Sequence, residues 1–157
     1  MISDSQIGQG PGGTTTVTFS FKDANGNIGS ATSTVTVAVG TPRITGSIAG
    51  IGTDPASGAV YANVVLTNTG NGNAYRLTIS TLTFRTLAGT GAVTYNTSLS
   101  PALPIVIGNL NVGIAVTIRV YLNVPSSATR IALTENGGLQ DVLGTNYTFS
   151  TSQAAIP

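Results

Sequence analysis

The sequence predicts an all-β fold, an antiparallel two-sheet β-sandwich, and two observations carry that prediction. Apolar residues recur at every second position through most of the chain. Short runs rich in Gly, Asn, Ser and Pro separate these alternating stretches. Because successive side chains of a strand point to opposite faces, the alternation describes strands that each have one apolar face. Many short strands of this kind, joined by turns, are typical of two sheets packed face to face.

The first two predicted strands form a β-hairpin. TTTVTFSFK and SATSTVTVAV both alternate, and DANGN lies between them. Asn-Gly is the dipeptide that tight hairpin turns favour. GTPRITG then interrupts the pattern, and Pro42 cannot donate to a central ladder. We therefore expect an N-terminal hairpin segment over residues 1–42 and a sandwich domain over residues 43–157.

The second segment contains the strands of the sandwich. Ile44 and Ile48 place a short strand in RITGSIAG, and GTDPASG after it has the composition of a turn. Further strands are predicted in AVYANVVLTN, YRLTISTLTFRTL, GTGAVTYNTS and IAVTIRVYLNV, with a short apolar piece at residues 105–107. The last of these alternates without a fault from Ile114 to Val124. TRIALTE and NYTFSTS, separated by NGGLQDVLGT, are expected to form the closing pair.

The long segment YRLTISTLTFRTL changes parity partway. The apolar residues of YRLTI are odd-numbered, whereas those of TLTF are even-numbered. One extra residue near Ser80 or Thr81 would return both groups to the same face. The sequence therefore predicts a β-bulge at that point.

Charged residues make up only 7% of the chain, against roughly 25% in an average soluble protein. The basic residues are scattered, and nucleic-acid binding, which needs clustered Lys and Arg, is not expected. They are Lys22, Arg43, Arg76, Arg85, Arg119 and Arg130. No apolar run approaches the 18 or so residues of a membrane span, so membrane insertion is not expected.

The composition is rich in Thr, Asn and Gly, poor in Lys and free of Cys, which is typical of bacterial secreted and cell-surface proteins. MISDSQIGQG has neither the basic start nor the apolar core of a signal peptide. We therefore expect a piece of a longer secreted precursor, with Met1 as an added start.

The residues that most enzymes use are missing. The chain has no His and no Cys, which removes the commonest general base, the thiol nucleophile and most transition-metal ligands. A glycosidase needs two facing carboxylates about 5 to 10 Å apart. Glu135 and Asp141 flank one predicted loop, but each is more simply a loop or strand-end residue. We expect no catalytic residues and no cofactor.

Asp23, Asn25 and Asn27 alternate in DANGN as oxygen ligands do in calcium loops, and Gly26 permits a sharp turn. A calcium loop also needs a bidentate Glu several residues later, and IGSATST contains no acid. These three residues are a weak calcium candidate. A hairpin turn is the favoured interpretation.

Lys22, the only lysine, raises the alternative of an intramolecular Lys-Asn isopeptide crosslink, as in some bacterial surface sandwiches. That chemistry needs a buried lysine beside an Asn and a carboxylate. Strand parity instead places Lys22 on the polar face, because Phe21 precedes it. An intact mass about 17 Da below the expected value, the loss of one ammonia, would reveal the crosslink.

Tyr61 and Tyr121 are the candidate ligand-binding residues. Both fall on the outer faces of predicted strands and would lie together if those strands pair. Aromatic platforms commonly hold carbohydrate, but the chain has no Trp and its tyrosines are scattered. An ordinary cross-strand pair on a half-exposed sheet is the favoured interpretation.

VVLTNTGNGNAY followed by YRLTISTLTF resembles the bacterial cell-adhesion-related repeat called CARDB, which has a strand, an N-x-G turn and a second strand. The resemblance continues in IGNLNVGIAVTIRVYLNVP and covers about residues 59–135. It implies an immunoglobulin-like (Ig-like) β-sandwich. NTGNGN, which has no charged residue, is interpreted as a turn and not as a binding loop.

FSFKDANGNIGSATSTVTV is similar to the last hairpin of another bacterial Ig-like repeat class. The hairpin either ends a preceding repeat or completes the sheet of the sandwich that follows. Because an isolated hairpin is marginally stable, docking onto the sandwich is the favoured alternative.

These resemblances imply a stalk, spacer or adhesion module of a large surface protein, whose partners are its neighbouring domains. Two other functions stay open. One is a module that binds carbohydrate or another ligand, and the other is assembly by strand exchange, with the N-terminal hairpin as the donated part.

Overall fold

The computed structural model describes residues 12–157, and within that range it contains ten β-strands and no helix. The strands are β1 (Thr14–Lys22), β2 (Ile28–Thr36), β3 (Ile44–Thr53), β4 (Val60–Asn68), β5 (Ala74–Gly89), β6 (Thr94–Tyr95), β7 (Ile105–Leu110), β8 (Ala115–Asn123), β9 (Ala128–Gln140) and β10 (Asn146–Ala155). The all-β prediction is confirmed. No helix that could cross a membrane is found among these residues.

The chain divides into two compact units, Met1–Gly40 and Thr41–Pro157. In the first unit, β1 and β2 pair antiparallel without a register shift, as the alternating sequence predicts. Gly26 in the connecting turn has a φ of 89°, a conformation that glycine adopts without steric cost. On the apolar side of this hairpin, Phe21 is 64% exposed. Whether the hairpin ends a preceding repeat or completes the sandwich stays a prediction.

The second unit is a two-sheet antiparallel β-sandwich. One sheet has the strand order β10-β9-β5-β7 and the other has the order β3-β4-β8-β6. Each strand buries the apolar side of its alternation, and the two buried faces form one core. Its fully buried large side chains include Val64, Leu66, Leu77, Ile79, Val120, Ile131 and Leu133.

The predicted β-bulge in β5 is confirmed. The pairing of β5 with β9 shifts register between Ile79 and Thr81, so Ser80 is the extra residue. Ile79 before the bulge and Leu82 after it are both buried. The inserted residue thus keeps the apolar side of a sixteen-residue strand on the core.

Strand β9 is longer than the sequence suggested, because it continues through NGGLQ, which was expected to be a loop. Gly137 lies inside the strand because a side chain would not fit there. A Cβ at this position would overlap the Thr78 carbonyl oxygen and the Phe149 ring, whose Cζ would be 2.6 Å away. Glycine in a strand often marks such a close approach. The Gly-rich composition of NGGLQ is nevertheless the same as that of a turn.

Two other strand ends differ from expectation. Strand β3 runs for ten residues, past the short RITGSIAG segment, with a register shift between Ile48 and Gly50. Strand β8 begins at Ala115, so Ile114 is not its first core residue and is 54% exposed. The Ile114 amide instead donates to the Asn111 carbonyl in the preceding turn.

Candidate functional site

Tyr61 on β4 and Tyr121 on β8 are directly opposite each other, because these strands pair in that register. Their ring centroids are 6.3 Å apart and the rings meet edge to face at 67°. Both side chains are half-buried on the outer face of the sheet. The structure therefore brings together the two tyrosines that the sequence singled out.

Three polar residues surround the tyrosines. The Arg119 guanidinium carbon stands 4.2 Å from the centroid of the Tyr61 ring, a cation–π contact. The Tyr121 hydroxyl donates to Asp54 Oδ2 at 3.1 Å. Arg119 Nε donates to Asn63 Oδ1 at 3.5 Å. We call Asp54, Tyr61, Asn63, Arg119 and Tyr121 the tyrosine cluster.

Asp54 is held by the turn between β3 and β4. The Ala56 amide donates to its carboxylate at 2.9 Å and the Ser57 hydroxyl donates at 3.1 Å. Hydrogen bonds from Ala56 and Tyr121, with a smaller contribution from the nearby Arg119 charge, lower the pKa of the Asp54 carboxyl. Asp54 therefore joins the turn to the neighbouring strand as an ionised acceptor at neutral pH.

The tyrosine cluster has the groups that bind sugars in general, namely aromatic rings with charged and amide side chains beside them. Its hydrogen bonds, however, run between its own members and to the turn that holds Asp54. Asn63 and Arg119 were not predicted as site residues, although their strand parity already places them on the same face as the tyrosines. Asp54 could not be predicted in this way, because it lies in a turn and strand parity does not apply there.

The calcium candidate lies in the hairpin turn. Asp23 Oδ1 accepts from the Asn25 amide at 2.9 Å and from the Asn27 amide at 2.8 Å. Asp23 Oδ2 accepts from the Asn27 side chain at 2.8 Å. These bonds, the Asn27 side-chain bond first, lower the pKa of Asp23. Both carboxylate oxygens thus accept hydrogen bonds within the turn.

Among the described residues 12–157, no group of three or more His, Cys, Asp or Glu side chains is placed to hold a metal ion. Lys22 is exposed, with its side chain near Gly26 in the turn. That is not the buried setting that an isopeptide crosslink requires.

Glu135 and Asp141 do not approach each other. Glu135 lies within β9, and six residues of extended chain separate it from Asp141, which corresponds to about 20 Å. Asp141 begins the β9–β10 turn, where its carboxylate accepts from the amides of Leu143 and Thr145 and from the Tyr147 hydroxyl. Burial opposes the ionised form, but these bonds prevail and lower the pKa of Asp141.

Glu135 is fully buried, although it was expected to be a loop or strand-end residue. Its parity in TRIALTE, shared with Ile131 and Leu133, was the signal that the sequence analysis overlooked. Burial raises the pKa of the Glu135 carboxyl, and hydrogen bonds from Thr151 and Gln153 oppose the shift only in part.

The NTGNGN segment joins β4 of one sheet to β5 of the other and is organised by Asn68, which is fully buried. Asn68 Oδ1 accepts from the amides of Arg43 at 3.2 Å and Gly70 at 3.1 Å. Its Nδ2 donates to the carbonyls of Gly72 at 2.9 Å and Leu110 at 3.0 Å. The segment is the turn that the sequence predicted, and Asn68 ties it to β7 in the second sheet.

A groove of about 450 Å³ lies where the edge strands β3 and β10 of the two sheets meet. Ile44, Leu139 and Phe149 supply apolar lining, and Arg43 and Ser152 are among its polar lining residues. Neither β3 nor β10 contains a charged residue.

Comparison with protein-family models gives no match for this chain, and comparison with curated proteins gives none either. The resemblance to the CARDB repeat therefore stays a prediction, carried by the turns and alternating strands quoted above.

Proposed function

We propose that the chain is a non-catalytic structural or adhesive module of a bacterial extracellular or cell-surface protein. It acts as a stalk, spacer or interaction domain between neighbouring domains of that protein. The sandwich is of the Ig-like, CARDB-like kind that the sequence resembles.

The observation that carries this proposal is how the acidic side chains are used. The described aspartates, Asp23, Asp54 and Asp141, each accept hydrogen bonds that hold a turn, and Glu135 lies in the core. A polar surface with little charge, on which the acidic side chains stabilise turns or lie in the core, suits a spacer.

The sheet order also suits a chain under tension. In Thr41–Pro157 the first strand, β3, and the last, β10, are edge strands of different sheets. Strand β3 pairs with β4 over nine residue pairs, and β10 pairs with β9 over ten. A pull on the ends of this unit would act against both ladders.

Single-molecule stretching of the chain between inert handle domains tests the mechanical role. We expect one cooperative unfolding event for Thr41–Pro157, with a length gain on the order of 400 Å. Extension without a resolved force peak would contradict a spacer that resists tension.

The tyrosine cluster favours a second candidate function, carbohydrate or other ligand binding. A polysaccharide pull-down or glycan array would test it. Saturable binding that is lost in Tyr61→Ala and in Tyr121→Ala, but kept in Tyr75→Ala on the other sheet, would favour the binding module. Circular dichroism of each variant checks that the fold is retained.

The uncharged edge strands favour a third candidate, strand-exchange assembly into fibres or oligomers. Natural sheets commonly protect their edges with Lys or Pro, and β3 and β10 have neither. Sedimentation would then show concentration-dependent oligomers that disappear when residues 1–39 are removed. Ser150→Lys with Ser152→Lys on the exposed side of β10 should also abolish them. Thr67→Lys, on the outer face of β4 and paired with a strand on each side, is the matched control.

A further inference from the structure

Two buried oxygen atoms lack a hydrogen-bond partner among residues 12–157, namely Glu135 Oε1 and Gln153 Oε1. Their side chains are already joined, because Gln153 Nε2 donates to Glu135 Oε2 at 3.0 Å. The Thr151 hydroxyl donates to the same Oε2 atom. Glu135 Oε2 and Gln153 Nε2 are therefore engaged in this contact, while the Oε1 atom of each side chain is left over.

An ionised carboxylate only accepts hydrogen bonds, and so does an amide oxygen. Two acceptors cannot satisfy each other, so an ionised Glu135 leaves both Oε1 atoms unpaired. A protonated carboxyl has one O–H donor. A proton on Glu135 Oε1 supplies the donor that Gln153 Oε1 lacks, and the two side chains then form a ring of two hydrogen bonds.

Among residues 12–157, no nearby charge contributes to the pKa shift of Glu135, and Arg43, which lines the groove between β3 and β10, is exposed. Leu82 on β5 is opposite Glu135, with Leu133 and Gly137 on the same side of β9. From the other sheet, β3 approaches so closely that a Cβ at Gly46 would stand 2.9 Å from Glu135 Oε2 and overlap Thr151. An unpaired charge in such a place has a large desolvation cost.

The titratable groups of the packed strands lie elsewhere. On β10 the only one is Tyr147, whose hydroxyl is bonded to Asp141. Strand β3 has none. Arg76 and Arg85 on β5 and Arg130 on β9 are exposed.

We propose that Glu135 is a neutral carboxylic acid in the folded chain and pairs cyclically with Gln153, so that a proton holds the side-chain contact between β9 and β10 against which β3 packs. Loss of this proton leaves a buried charge between the two sheets. The device is a pH-sensitive contact between β9 and β10 on the side that faces β3. It does not depend on which of the proposed functions holds.

The sign of the pH effect follows from linkage. A carboxyl whose pKa is raised on folding binds its proton more tightly in the folded state. Its stabilising contribution is complete below the unfolded pKa, near 4.5, and is lost as pH rises through the folded pKa. Over that window the unfolding equilibrium constant rises by up to about tenfold per pH unit, the slope for one proton.

The composition isolates this titration. The chain has no His, and Glu135 is its only Glu. Asp23, Asp54 and Asp141 have lowered pKa values, below 3.8. As pH rises above 4.5, these aspartates stay ionised, and Glu135 is the described carboxyl that can still lose a proton.

Urea unfolding of the full chain between pH 4.5 and pH 7 tests the proposal, with Glu135→Gln as the key variant. The amide of Glu135→Gln replaces the O–H donor by N–H and keeps the cyclic pair, but it cannot titrate. We expect the wild type to lose stability as pH rises and Glu135→Gln to show no slope. Asp141→Asn, the matched control, should keep the wild-type slope in this window.

A flat wild-type profile, or a slope that survives in Glu135→Gln, would overturn the proposal. If Glu135→Gln does not fold, the protons that the wild type releases on unfolding test the proposal instead. Unfolding of the wild-type chain in unbuffered urea near pH 5.5 should release protons, whereas no release contradicts a neutral Glu135.

Discussion

Asn68 and Glu135 are both completely buried polar side chains in one sandwich, and they meet the cost of burial in different ways. Asn68 lies at the turn between β4 and β5, where two donors and two acceptors surround it. Glu135 lies on β9 between the two sheets, where its carboxylate has donors on one oxygen only.

The difference shows why each residue type suits its place. A neutral amide carries both donors and acceptors, so Asn68 can bond to amides and carbonyls together at every pH. A carboxyl offers a donor only when it is protonated. The hydrogen bonds of Asn68 therefore hold the turn at every pH, whereas the contact between Glu135 and Gln153 depends on an exchangeable proton.

Asn68→Asp is expected to have the largest effect, because it turns the satisfied residue into an unsatisfied one. A carboxylate would face the carbonyls of Gly72 and Leu110, which now accept from Nδ2. We expect a loss of more than about 3 kcal/mol in the free energy of unfolding, measured by urea denaturation at pH 7. Asn111→Asp, on an exposed position, should change it by less than about 0.5 kcal/mol. A loss below 1 kcal/mol or so for Asn68→Asp would mean that this network contributes little.

Gly70→Ala tests the same turn through its backbone. A Cβ on Gly70 would stand 2.9 Å from the Pro42 carbonyl carbon and overlap the backbone of Thr41 and Arg43. Overpacking of this kind costs about 1–3 kcal/mol. Gly50→Ala, where nothing lies within 4 Å of the added atom, is the control and should be near neutral. Equal effects for the two variants in thermal unfolding would contradict the close approach at Gly70.

The acid limb of the stability profile separates the aspartates from Glu135. Because the pKa values of Asp54 and Asp141 are lowered on folding, their contribution is complete above pH 3.8 and is lost as pH falls below it. Urea midpoints should therefore fall between pH 4 and pH 2. Asp141→Asn should lower stability at pH 5 and show a shallower acid limb, and an unchanged limb would count against its role in the turn.

Tyr121→Phe should have the smallest effect, because it removes only the bond to Asp54 on the half-buried outer face. A typical intramolecular hydrogen bond contributes about 0.5–1.5 kcal/mol. Tyr75→Phe, on the other sheet, is the control and should stay within about 0.5 kcal/mol of wild type. The two variants are compared by chemical denaturation, and a larger loss for Tyr75→Phe would contradict this ranking.

Alternation predicted the sandwich and the bulge near Ser80, because burial of one face fixes strand parity. It failed at NGGLQ, since a glycine that makes room for the Phe149 ring is indistinguishable in sequence from one that makes a turn. The partners of Asn68 were beyond reach, because Leu110 comes from the other sheet, 42 residues later.

The candidate sites show the same limits. Parity placed Tyr61 and Tyr121 on outer faces, but their contact depends on the pairing of β4 with β8, which parity does not determine. The burial of Glu135 was readable from its place between apolar neighbours of equal parity. Its pairing with Gln153 required the register of β9 and β10.

We expect one buried polar residue in this core, Glu135, to titrate. Glu135 is the only glutamate, so ¹³C labelling of glutamate gives a single side-chain carboxyl signal for NMR. We predict that this signal titrates in the folded chain with a midpoint above the ordinary glutamate pKa of 4.5. A midpoint at or below that value would show an ionised, satisfied carboxylate and would contradict it.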